Sequence, residues 1–160
     1  MKKDNSILSH LNSEGNPQMV DVSGKAVTSR TATAQAIVQF PSPVFKQLVK
    51  NNFLGSKGSI FHTAIIAGTM AAKRTADLIP LCHPLSLSQI SIDIEKGTNM
   101  LLIKATIQCD GKTGVEMEAL TAASITALTV YDMCKALSHD IVITQTKLVE
   151  KKGGKSDFKR

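Results

Sequence analysis

The residues best suited to chemistry begin with Asp132-Met133-Cys134-Lys135, which puts a carboxylate and an amine three residues apart, on neighbouring positions of one helix face. An isolated D-x-x-K is most often a surface ion pair worth under about 1 kcal/mol. Here the preceding residues, TAASITALTV, are almost wholly apolar or small. An acid and an amine set in an apolar wall have shifted proton affinities, as general acid–base catalysis requires.

Lys57 lies between Ser56 and Gly58 in a loop ahead of a predicted helix, where a mobile backbone can fold over a ligand and the amine can meet an anion. The bland alternative is a solvated loop lysine. Cys82 and His83 are framed by Pro80 and Pro84, and two prolines four residues apart hold such a loop stiff and extended. His83 could carry a proton or simply make a surface hydrogen bond. A zinc site is not expected, because no second Cys/His pair stands at ligand spacing.

Gly111-Lys112-Thr113-Gly114 sits between a predicted strand and a helix, the usual place to hold a phosphate on backbone N–H groups. Neither this GKT nor the GGKS at Gly153–Ser156 completes a phosphate-binding P-loop, since the glycine required upstream is Thr106 in one case and Val149 in the other. Glu116 and Glu118 open that helix. Two residues apart, they point about 200° from each other, which argues against one single-sided pocket and for a role toward the helix dipole.

The elements that must position these groups follow from periodicity. Lys25–Phe40 is β-branched and partly alternating, a strand that places Ala26, Arg30 and Ala32 on the face opposite Val27, Thr31 and Ile37. A short helix through Val44, Leu48 and Val49 ends near Asn51-Asn52. Ser59–Leu78 carries a helical stripe of small residues. Leu85–Glu95 and Met100–Cys109 pair as a hairpin, Val115–Ser138 is a second long helix, and Ile141–Glu150 is the last strand.

This order predicts an α+β fold, a ferredoxin-like βαββαβ antiparallel sheet with one extra helix and the long helices packed on one face. The second helix is apolar on nearly every side, which puts part of it at a subunit interface. Glu118 and Asp132 are fourteen residues apart on it, about 21 Å. One chain cannot easily bring both to one small molecule, whereas two such helices paired antiparallel across a two-fold axis can.

At 160 residues with 42% hydrophobic and 20% charged residues, the chain has the size and balance of one globular domain. Residues 1–18 read as a flexible polar arm and residues 19–160 as a single catalytic domain with a glycine- and lysine-rich tail. No apolar run is long enough to span a membrane, the start carries no signal-peptide pattern, and three scattered cysteines fit reduced thiols, so the cytoplasm is the expected compartment. A formal charge of +6 points to an anionic partner.

The segments KRTADLIPLCHPL (Lys73–Leu85), GKTGVEMEALTAAS (Gly111–Ser124) and YDMCKAL (Tyr131–Leu137) closely resemble the molybdenum-cofactor biosynthesis protein C family, the cyclic pyranopterin monophosphate synthases. MVDVSGK (Met19–Lys25), Lys57-Gly58 and the GGKS tail match in order as well. The resemblance implies a ferredoxin-like subunit in a homohexamer, a trimer of dimers with active sites at the dimer interfaces. It implies a lyase of phosphorus–oxygen type that converts 3′,8-cyclo-7,8-dihydroguanosine 5′-triphosphate to cyclic pyranopterin monophosphate with release of pyrophosphate. No cofactor and no metal are implied.

Carried onto this sequence, the family pattern makes Asp132, Lys135 and Lys57 catalytic and gives the substrate Leu81, Cys82, His83, Met117, Glu118 and Glu116. The need to stabilise a leaving pyrophosphate adds Lys73, Arg74 and Lys155 as candidate contacts. Ala76 stands where the pattern has an aromatic, and the tail reads GGKSD instead of GGKSG.

A basic ferredoxin-like domain can also be an RNA-binding sheet, but such sheets stack bases on exposed aromatics, and this chain has no Trp, a single Tyr and 4% aromatics. No nucleic acid and no membrane are therefore expected as partners. A purely structural oligomer would leave Asp132, Lys135 and the Cys82-His83 loop unexplained.

Overall fold

The computed structural model describes residues 11, 12 and 14–160. Most of the arm expected over residues 1–18 lies outside them. The elements run β1 (Thr28–Gln39), α1 (Ser42–Lys50), β2 (Leu54–Gly55), β3 (Gly58–Ser59), α2 (Ile60–Lys73), α3 (Thr75–Leu78), β4 (Leu87–Gly97), β5 (Met100–Gly111), α4 (Glu116–Cys134), β6 (Val142–Lys152) and β7 (Phe158–Lys159).

The main sheet is antiparallel with the order β4-β5-β1-β6-β7. Counting only its four long strands in chain order gives 2-3-1-4, the ferredoxin-like arrangement, with the two main helices on one face. Alternation in β1 and β5 sends Ala32, Ala34, Ala36 and Val38 together with Leu101, Ile103, Ala105 and Ile107 under those helices. The other face carries polar positions such as Thr31, Gln35, Gln108 and the Thr33–Thr106 hydroxyl pair at 2.9 Å. Its centre has no aromatic on which a base could stack.

Small residues let α2 and α4 approach closely. A methyl on Gly68 would overlap Thr126 Oγ1 and come within 3.0 Å of the Ala122 carbonyl. The buried face of α4 is correspondingly Ala119, Ala122, Ala123, Thr126, Ala127 and Val130. The outward side of the helix pair is also apolar, and within one chain Ile66, Met70, Leu78 and Leu128 stay exposed. All-round burial of α4 is therefore not achieved by one copy of the chain.

Several boundaries differ from the sequence reading. β1 starts at Thr28 rather than Lys25, because a turn closed by Lys25 N–H donating to the Val22 carbonyl (3.1 Å) reverses the chain first. The helix expected over Ser59–Leu78 breaks at Arg74. There the buried Thr75 hydroxyl donates to the Ala71 and Ala72 carbonyls (3.4 and 3.0 Å), competing with the backbone ladder. α4 stops at Cys134 as the Leu137 N–H tightens onto the Cys134 carbonyl at 2.9 Å. The hairpin β2-β3 and the tail strand β7 were not foreseen.

Four phenylalanines fix the hairpin that carries Lys57. Phe40, Phe45, Phe53 and Phe61 stack in succession with centroids 5.8, 5.9 and 4.6 Å apart. Phe53 takes φ of 53°, a costly conformation for a bulky residue, and its burial in this row compensates. The tail is pinned differently. Gly153 at φ 81° leaves no room for a side chain against the Ser29 carbonyl, and its N–H donates to Asp157 Oδ1 at 3.1 Å. The aspartate of GGKSD thus closes the turn that sends β7 back along β6.

Candidate active site

The first cavity, about 330 Å³, opens at the N-terminal end of α4. Leu81, Cys82 and His83 of the proline-framed loop form one wall, and Glu116, Met117 and Glu118 form another. The structure thus gathers six of the residues singled out in the sequence. The two glutamates do line one cavity, contrary to the expectation from their 200° offset, because the cavity wraps around the end of the helix instead of facing one side of it.

Glu118 is almost fully buried, and burial is the main cause that raises its carboxyl above the ordinary value, with the Glu116 charge adding to it and its own backbone N–H opposing. Burial, then the Glu118 charge, also raises the Cys82 thiol. Glu116 pairs with Lys151 at 3.1 Å, and Gly114 makes room for its carboxylate, which a Cβ there would overlap.

A second cavity of about 490 Å³ adjoins the first, sharing Lys25, Thr113, Gly114 and Glu116. It is strongly basic, lined by Arg30, Lys112, Lys151, Lys152 and Lys155 in addition to Lys25. Of the three phosphate candidates, Lys155 lies here. Lys73 and Arg74 do not: both are exposed at the far end of α2, and Arg74 lines a groove with Met70, Asp77 and Leu78.

Lys25, Arg30, Lys112, Lys151 and Lys152, which also line this basic cavity, were not singled out in the sequence. Arg30 was detectable, since it falls on the same face of β1 as buried Ala32 and Ala34, an arginine at the open end of an apolar row. Lys151 shares that face through its register opposite Ala32.

Asp132 and Lys135 stand at the opposite end of α4, with Asp132 Oδ1 and Lys135 Nζ 2.7 Å apart. They are not set in an apolar wall within one chain, because both side chains are more than half exposed. The Lys135 hydrogen bond and charge hold the Asp132 carboxyl below its usual value, with the Lys57 ammonium contributing, and Asp132 raises Lys135 in return. The Lys57 charge thus bears on this pair, and none of the three lines either cavity of the same chain. Among the described residues, no group of three or more His, Cys, Asp or Glu side chains could hold a metal ion.

A ferredoxin-like domain with a carboxyl-bearing cavity adjoining a basic one has the form of a small-molecule enzyme. The chain belongs to the MoaC family, whose model matches residues 19–154. It is similar to the cyclic pyranopterin monophosphate synthase of Xanthomonas oryzae pv. oryzae, 56% identical over 152 residues that cover 94% of this chain and 92% of that protein. The proteins of the same name from Xanthomonas axonopodis pv. citri (56%) and Xanthomonas campestris pv. campestris (55%) match over the same shares.

Proposed function

We propose that this chain is a subunit of a cyclic pyranopterin monophosphate synthase, an enzyme of molybdenum cofactor biosynthesis. The reaction converts 3′,8-cyclo-7,8-dihydroguanosine 5′-triphosphate to cyclic pyranopterin monophosphate and releases pyrophosphate. The observation that supports this reading is the wall shared by a carboxyl-bearing cavity and a basic one, an arrangement suited to a heterocycle beside a polyphosphate.

The chemistry consists of proton transfers that open a purine ring and close a pterin ring, and of a displacement at the α-phosphorus in which a hydroxyl of the substrate loses its proton and forms the new P–O bond while the bond to pyrophosphate breaks. Glu118, whose carboxyl burial holds above its ordinary value, is placed to hydrogen-bond a ring nitrogen or carbonyl and to exchange a proton. Arg30, Lys112, Lys151 and Lys155 are placed to stabilise the negative charge of the departing pyrophosphate. Nothing in this sequence of steps transfers electrons, so we assign no cofactor.

Asp132, Lys135 and Lys57 complete the site from a second copy of the chain. One copy cannot easily do so itself across the separation of about 21 Å along α4, and the exposed apolar side of α2 and α4 offers a surface for antiparallel pairing. We take the assembly to be a hexamer of three such dimers, residues 19–160 to be its catalytic unit and residues 1–18 an arm. We place it in the cytoplasm, in keeping with three unbridged cysteines.

The test is incubation with the cyclised triphosphate. Release of pyrophosphate together with an oxidisable pterin supports the assignment, and recovery of unchanged substrate refutes it.

A further inference from the structure

Residues 20–25 form a strap along the first cavity, without regular structure over 20–22 and turning over 23–25. Val20 and Val22 line the cavity and are half-buried, while Asp21 and Ser23 between them face solvent. Asp21 Oδ1 accepts the Ser23 N–H at 2.8 Å, and the turn that follows throws Lys25 back onto the wall common to both cavities. The strap joins no strand. Among the described residues, two hydrogen bonds tie it to the body of the chain, His83 Nε2 to the Val20 carbonyl at 2.9 Å and Lys112 Nζ to the Ser23 carbonyl at 2.6 Å.

The first bond fixes the role of one ring nitrogen. A carbonyl only accepts, so Nε2 carries a proton and is engaged, and the ring cannot use that nitrogen to shuttle a proton without releasing the strap. The ring is itself carried on a loop framed by Pro80 and Pro84, which gives the strap a stiff anchor.

We propose that His83 is a positioning residue: through the Val20 carbonyl it holds the strap shut and sets the Lys25 amine at the junction of the heterocycle and phosphate cavities. The kinetic part of this proposal rests on the reaction assigned above. The structural part does not.

The test compares His83→Ala with His83→Gln, whose amide N–H can replace the Nε2 donor but cannot relay a proton. Trypsin cutting of the native full-length protein after Lys25, followed by mass, reads strap opening directly. We expect His83→Ala to be cut roughly ten-fold faster than wild type and to raise KM by a similar factor with kcat little changed, the scale of one lost hydrogen bond. His83→Gln should restore most of both. In a Lys25→Ala background, His83→Ala should add under about two-fold to KM, because the residue it positions is gone. The proposal is overturned if His83→Ala is cut no faster than wild type, or if His83→Ala loses kcat strongly and His83→Gln fails to restore it. A wild-type protein that releases no pyrophosphate would refute the assigned reaction, and the trypsin comparison would still decide the role of the strap.

Discussion

Asp132 Oδ1 and Lys135 Nζ lie 2.7 Å apart at the end of α4, in an ion pair whose two side chains are 53% and 58% exposed. An exposed pair of this kind adds little to stability, so its loss should be felt in turnover and not in folding. Asp132→Asn and Lys135→Ala should each lower turnover by about 10² or more, the scale of a lost general acid or base. If they serve one step, the double variant should be scarcely worse than either single one. Thermal unfolding supplies the control. Near-native turnover in both folded single variants would reduce the pair to a surface salt bridge.

Glu118 gives a prediction in which stability and activity move in opposite directions. Its carboxyl is raised in the folded state above the ordinary value of about 4.5, so the folded state holds that proton more tightly than the unfolded chain. The resulting stabilisation is complete below the unfolded value and is lost as pH rises through the folded one. Glu118→Gln removes this dependence. It should unfold at a higher temperature than wild type at pH 8, with the advantage shrinking toward pH 4, and should lose turnover by about 10² because an amide cannot surrender the proton. A variant no more stable at pH 8 than at pH 4, relative to wild type, would contradict the buried-acid reading.

The cysteines should separate by environment. Burial pushes the Cys134 thiol up to about 11, and Cys109 is also buried and raised, whereas Cys82 is partly exposed in the first cavity. A disulfide reagent at pH 7.5 should therefore modify Cys82 alone, and slowly, until the protein is unfolded. Equally fast reaction at all three positions would show that the core opens readily.

Much of this was legible in the sequence. The periodicities of β1, β4, β5 and the two long helices fixed the ferredoxin-like order, because each buries one regular face against a single core. The Cys82-His83 loop could be read from its prolines and the GKTG segment from its place between strand and helix. Residues whose role depends on long-range register were harder. Lys151 reaches Glu116 only because β6 pairs with β1, and Lys25 reaches both cavities only because a turn precedes β1. The break at Arg74 was hidden because it depends on the buried Thr75 hydroxyl, whose effect on the helix is set by packing.

The central claim is that one active site takes its Glu118 cavity from one subunit and its Asp132–Lys135 pair from another. The most direct test is to unfold Glu118→Gln and Asp132→Asn proteins together, refold them as mixed oligomers, and measure pyrophosphate release. Each mixed dimer would contain one doubly damaged site and one intact site, so random mixing should recover about a quarter of wild-type activity from two inactive parents. Mixed oligomers that demonstrably form and remain as inactive as their parents would contradict the account.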